Sequence, residues 1–151
     1  DWGTNTSLFI DPNLWRSFFK PRYRILCDNA HKFGLDVFFH SDGQIKDILP
    51  DLLDCGVDVL EVAQPHLFNI EELGKIFGGR LCFFGAADKQ TTLVSGSFND
   101  IIKEINLLIN SFGSFNGGFI AMGDMDDYRD LVIPVENVRT MVECFKKNGR
   151  Y

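Results

Sequence analysis

With 151 residues the chain is long enough for a real core, and 45% hydrophobic against 24% charged residues is an ordinary globular balance. A formal net charge of −6 argues against nucleic acid as a partner, which would need clustered Lys and Arg to neutralise phosphates. No apolar run approaches membrane-spanning length and no basic-then-apolar leader opens the sequence, so no membrane partner is expected.

Residues 1–6 are polar and turn-like and read as the loop leaving a strand that is not present here. Asp11-Pro12 reads as an N-cap with proline at the first helical position, followed by an apolar face of Leu14, Trp15, Phe18 and Phe19. Pro21 is expected to kink or break this helix, which continues over 23–33 to Gly34, a residue suited to the left-handed C-cap. Val37, Phe38 and Phe39 precede a Ser41-Asp42-Gly43 turn, the pattern of a strand buried on both faces. Residues 44–55 are helical by period, with the register left open by Pro50, and Gly56 stops them.

A second strand is expected over 57–63, then a loop at Gln64-Pro65-His66 and a short helix over 70–77. A third strand over 81–86 leads into a long loop through Gly96. Ser97, with Asp100 three residues on, then opens an amphipathic helix over 98–112. A fourth strand over 119–122, an acidic loop over 123–132 and a helix over 135–147 with a basic end complete the chain. Such alternation implies right-handed crossovers and a parallel sheet: a small open α/β sheet, or half of a (β/α)8 barrel. The fifteen phenylalanines suggest an interior of large side chains. Cys27, Cys55, Cys82 and Cys144 lie far apart with no Cys-x-x-Cys pair, which predicts buried free thiols and a reducing cytoplasm.

Chemistry is expected at the carboxyl ends of the strands. His40 and Asp42 fall there two residues apart, as a metal or substrate site or as a turn capping the next helix. Glu61 lies in an apolar strand, where it is costly to bury unless paired; facing in it is a ligand or acid, facing out a partner for a helix cation. Asp124 adjoins the fourth strand, whereas Asp126, Asp127 and Asp130 read as solvated. Gln64 and Asp88 are strand-end candidates for substrate contact, and His31 and His66 read as surface or helix-packing residues. No Walker loop, dinucleotide fingerprint, nucleophile elbow or zinc-ribbon spacing is present.

Asp1-Trp2-Gly3-Thr4, Asp11-Pro12-x-Leu14-Trp15, Lys20-Pro21-x-Tyr23, Phe39-His40-Ser41-Asp42-Gly43 and Gly56-Val57-Asp58-Val59-Leu60 follow one another in an order that resembles the uroporphyrinogen decarboxylase superfamily. So do Gln64-Pro65, Gly85-Ala86-Ala87-Asp88 and Pro134-x-Glu136-Asn137-Val138. The resemblance covers about the C-terminal half of such a protein and implies that the chain, one partial domain over 1–151, supplies the last four strands of a TIM, or (β/α)8, barrel.

In the decarboxylase of haem biosynthesis the principal acid and substrate-holding arginines lie mainly in the absent N-terminal half. Its Gly-His-Gly loop corresponds here to Met122-Gly123-Asp124-Met125. Methyltransferases of the superfamily, which serve corrinoid proteins, bind zinc through a His-x-Cys motif and a second Cys after the last strand. His40 matches the histidine, while Asp42 and, in a longer loop, Asp124 stand at the cysteine positions. A His-Asp-Asp set can hold zinc but favours harder divalent ions more than a thiolate site does.

The resemblance therefore implies a methyltransferase-like enzyme portion with metal at His40, Asp42 and Asp124, Glu61 as catalytic group, and Gln64 and Asp88 on the substrate. A corrinoid protein is the implied methyl donor. Cofactor-free decarboxylation of a tetrapyrrole and a non-catalytic truncated domain or binding module are the alternatives. Four strands of a barrel leave two sticky edges, so the expected partner is the missing N-terminal half or a second copy of the chain.

Overall fold

The computed structural model describes residues 1–123 and 131–149; Asp124, Asp126, Asp127 and Asp130 lie outside the described residues. The fold is α/β, with four strands in the parallel sheet order β1-β2-β3-β4, as half of a (β/α)8 barrel requires. The chain divides into two compact units, Asp1–Glu61 and Val62–Tyr151. Among the described residues no helix is long and apolar enough to cross a membrane.

The first unit holds α1 (Pro12–Phe18), α2 (Lys20–Lys32), β1 (Phe38–Phe39), α3 (Leu49–Cys55) and most of β2 (Val59–Val62). Asp11 caps α1 by accepting from the Asn13 and Leu14 amides, with Pro12 in the first turn. Pro21 falls in the first turn of α2, where its missing N–H removes no helical hydrogen bond, so it starts a helix rather than kinking one. Pro50 does the same for α3, which begins only after a 3-10 turn at Lys46–Ile48, later than the period suggested. Gly34 (φ +69°) and Gly56 (φ +99°) end their helices in the left-handed conformation.

Trp15 is fully buried and stacks on Tyr23, which meets Phe39 edge-on. Two expectations are corrected here. Leu14 and Phe18 are about half exposed, so the α1 face is narrower than four residues. Phe38 is 50% exposed while Phe39 is buried, so β1 alternates instead of being covered on both faces.

Buried Asp51 joins α3 to both earlier helices, accepting from Arg16 Nε and Lys20 Nζ at 2.8 Å each. Burial works against its charge, yet the hydrogen bonds from Lys20 and Arg16 prevail and hold its carboxyl below the usual range. Asp51→Ala should cost about 1.5–3 kcal/mol, the usual worth of a hydrogen bond to a charged group. Urea unfolding will show this as a lower midpoint at unchanged slope.

A second clasp joins the end of α2 to the strands: Asp58 Oδ2 accepts from the Val37 amide and contacts His31 Nε2, each at 2.7 Å. The hydrogen bond with Asp58 raises the His31 pKa. Burial opposes ionisation of Asp58, but the His31 and Val37 bonds outweigh it and lower its pKa. The raised histidine contributes stability below its unfolded pKa of about 6.5 and loses it as pH rises through the folded value. The depressed aspartate contributes above its unfolded pKa of about 3.9 and loses it as pH falls through the folded value. The clasp is therefore complete between about pH 4 and about pH 6.5 and weakens as pH rises further, through the raised pKa of His31. Unfolding midpoints should fall over that rise for the native chain and stay flatter for His31→Gln.

The second unit holds α4 (Ile70–Phe77), β3 (Cys82–Gly85), α5 (Thr92–Ser95), α6 (Phe98–Phe112), β4 (Phe119–Ala121) and α7 (Val135–Asn148). β3 and β4 pair in parallel, Phe83 opposite Phe119 and Phe84 opposite Ile120. Ser97 and Asp100 form the capping box that opens α6, whose Ile101, Ile105 and Leu108 are buried. Phe83 stacks on Phe112 with ring centroids 3.9 Å apart. Phenylalanine is not confined to the interior, however: Phe9, Phe33, Phe98 and Phe115 are exposed.

α4 and α6 come close because residue 74 is glycine; a Cβ there would lie 2.9 Å from the Ser111 carbonyl carbon and nearer its oxygen. Helix α5 stands in what the sequence suggested was only loop. It anchors on buried Leu93 and receives a hydrogen bond from α7, Asn137 Nδ2 to Leu93 O at 2.8 Å. All four cysteines are free; Cys27, Cys55 and Cys144 are buried and Cys82 is half-buried.

Candidate functional site

The register of β1 on β2 sets the first contact. Phe38 lies opposite Val59 and Phe39 opposite Leu60, so the next pair along both strands is His40 and Glu61. His40 Nδ1 and Glu61 Oε2 are 2.9 Å apart. The Glu61 side chain is only 11% exposed, and the imidazole supplies the partner that a carboxylate so placed requires. An ionised carboxylate only accepts, so Nδ1 is the donor to Glu61, and in the neutral imidazole Nε2 is then the lone-pair nitrogen.

Nε2 lies 3.6 Å from Asp1 Oδ1, which also accepts from the Asp42 amide at 3.0 Å. Asp1, His40 and Asp42 can each offer a ligand atom within 4.8 Å of the others. The segment 1–4 reaches this place by lying backbone to backbone on 41–44. Trp2 N–H donates to buried Ser41 Oγ at 2.9 Å, and Gln44 N–H donates to Thr4 O at 2.7 Å. Gly3 and Gly43 face each other where the two segments cross. A Cβ on Gly3 would sit 2.6 Å from Gln44 N, and one on Gly43 2.7 Å from Gly3 Cα.

Of the residues read from the sequence, the structure brings together His40, Asp42 and Glu61, while Asp124 lies outside the described residues. Asp1 was missed as a donor. The signal for it was the pair of glycines at 3 and 43, legible only once the two segments are known to cross. One imidazole and two carboxylates, with a further carboxylate on the second ring nitrogen, fit a divalent cation in kind: zinc, or a harder ion because oxygen dominates.

Gln64 and Asp88 belong to the second unit, and both are buried. Asp88 Oδ1 accepts from the Gln90 and Thr91 amides and the Thr91 hydroxyl, each at 2.9 Å. Its Oδ2 accepts from the His66 amide at 3.3 Å and from His66 Nδ1. Both oxygens are engaged, so Asp88 holds the loop after β3 and ties it to His66, one of the two histidines read from the sequence as surface or helix-packing residues.

Residues 3–148 match the sequence model of the family described as uroporphyrinogen decarboxylase (URO-D). No curated protein and no solved structure matches the chain. Matched over nearly its whole length, the chain belongs to the uroporphyrinogen decarboxylase superfamily.

Proposed function

We propose that the chain forms the C-terminal portion of a methyltransferase-like enzyme of this superfamily, with a divalent cation held by Asp1, His40 and Asp42 at the carboxyl end of β1. Asp124 is a further ligand in this reading. The observation that carries it is the 2.9 Å contact between His40 Nδ1 and Glu61. Metal-bound histidines almost always give their second N–H to a carboxylate or similar acceptor, which fixes the tautomer and makes the free nitrogen a better donor.

Bound there, a divalent cation supplies a Lewis acid that activates an acceptor such as a thiol. The chain's own residues do the rest. Glu61 orients His40 and keeps its proton on Nδ1, while the Gly3–Gly43 crossing sets Asp1 beside Asp42. Gln64 contacts substrate, and Asp88 positions His66. A corrinoid protein is the methyl donor, and the remaining barrel half or a second copy of the chain is the partner that closes the sheet.

Calorimetry with zinc and with manganese, supported by elemental analysis, tests the site. The native chain should bind one cation, His40→Ala should bind none, and Glu61→Gln should bind about 10–100-fold more weakly. Equal binding by the native chain and His40→Ala would remove the metal. Binding of a tetrapyrrole by a metal-free chain would favour decarboxylation instead.

A further inference from the structure

Two asparagines precede a glycine, Asn116-Gly117 and Asn148-Gly149, and the second unit holds them in opposite conditions. Asparagine is thermolabile because the backbone nitrogen of the next residue can attack its side-chain amide. A glycine in that place puts no side chain in the way of the ring that forms.

Asn148 ends α7 with both reacting groups engaged. Its Nδ2 donates to Asn106 Oδ1 at 2.8 Å and contacts Cys144 Sγ at 3.5 Å. The nucleophile is held as well, since the Gly149 amide donates to Phe145 O at 2.8 Å. Ring closure there requires the last turn of the helix to open.

Asn116 is exposed in the turn between α6 and β4, and among the described residues its side-chain amide has no hydrogen-bond partner. A single bridge, Ser114 to Gly117, pairs the turn with itself. Gly117 (φ +114°) has nothing within 4 Å of the position a Cβ would take, so space beside the peptide is open. Asn116 is itself left-handed, at φ +62°. Among residues with a side chain that conformation favours asparagine, whose short polar group tolerates it. The turn therefore keeps a labile amide directly before a glycine.

We propose that Asn116 is a site of spontaneous modification in the folded chain, through a succinimide closed with Gly117, whereas Asn148 is spared until the chain unfolds. The Gly117 nitrogen bonds to Asn116 Cγ and gives up its proton, the Cγ–Nδ2 bond breaks, and ammonia leaves. Water then adds to either carbonyl of the ring and the corresponding C–N bond breaks. One opening leaves aspartate; the other leaves isoaspartate, with the main chain running through the former side-chain carbonyl. Isoaspartate adds one backbone carbon to a turn anchored on both sides. Phe115 covers Gly78 too closely for a Cβ to fit there, and Gly118 O accepts from the Phe83 amide at 2.8 Å. The extra carbon therefore disturbs the pairing of β3 with β4. The inference concerns the second unit alone and does not depend on the metal site.

The test is peptide mapping by mass spectrometry of the full chain, kept folded or in urea, at mildly alkaline pH in water enriched in heavy oxygen. In the folded chain the peptide holding residue 116 should exchange its amide nitrogen for one heavy oxygen. It should do so at least about tenfold faster than the peptide holding residue 148, whose hydrogen bonds must first break. In urea the two rates should converge, and Asn116→Gly should remove the fast site from the folded chain. The aged native chain should also unfold at a lower urea midpoint than Asn116→Asp, which carries the new charge on an unaltered backbone. Equal rates at the two positions in the folded chain, or reaction at residue 116 only after unfolding, would overturn the proposal. An aged chain rich in isoaspartate yet as stable as Asn116→Asp would overturn the effect on β3 and β4.

Discussion

Gly43→Ala is expected to lower the stability of the chain by about 2–5 kcal/mol and to abolish cation binding at His40. Two effects add. A left-handed backbone at φ +85° costs a residue with a side chain about 1–2 kcal/mol. Overpacking adds about 1–3 kcal/mol, because the new methyl group would press on the Gly3 backbone, and backbone cannot change rotamer to escape. Gly34→Ala separates the two effects: its φ is +69°, but nothing lies within 4 Å of its Cβ position, so it should cost only the backbone strain. Urea unfolding of both variants, with calorimetry on Gly43→Ala, makes the comparison. Equal midpoints for the two would mean that the crossing of 1–4 over 41–44 contributes nothing, and intact cation affinity in Gly43→Ala would detach Asp1 from the site.

Gly74→Ala sets two opposing effects against each other. Alanine is the better helix former by about 0.5–1 kcal/mol, which alone predicts a more stable α4. Against this stands a methyl group driven into the Ser111 carbonyl of α6, where relief requires the two helices to part. Overpacking of this kind costs about 1–3 kcal/mol and sometimes more. Packing should win, giving a net loss of about 1–2 kcal/mol. A raised unfolding midpoint would show that α4 and α6 separate freely, and would count against a well-packed second unit.

The elements that announced themselves were those whose local signals agreed with their packing. Helices α4 and α6 were legible to the residue because period, cap and terminating glycines coincide: Asn69 accepts from the Glu72 amide, and Ser97 and Asp100 bond reciprocally. Strands were located but read too long, since an apolar run continues past the residues that pair in the ladder; 57–63 narrows to Val59–Val62. Of the kink or break expected at Pro21 the structure has the break, between α1 and α2, and Pro50 left the register of 44–55 open because sequence alone does not tell a first turn from an interior one.

The site divides in the same way. His40 and Glu61 are coupled by strand register, which a pattern of two short strands suggests. Asp1 depends on a glycine crossing between segments some forty residues apart, which no local pattern encodes.

Asn137 sets a rule of timing. Four residues cannot nucleate a helix that lasts, because the first turn fixes several dihedral angles for one hydrogen bond. Helix α5 has no side-chain cap of its own, and the amide that binds its Leu93 carbonyl belongs to α7, 44 positions later in the chain. During synthesis the segment therefore emerges, and waits, without lasting structure until α7 has been made and docked. In the finished protein an opening that frees α7 removes the hydrogen bond to Leu93 and is expected to loosen α5 with it.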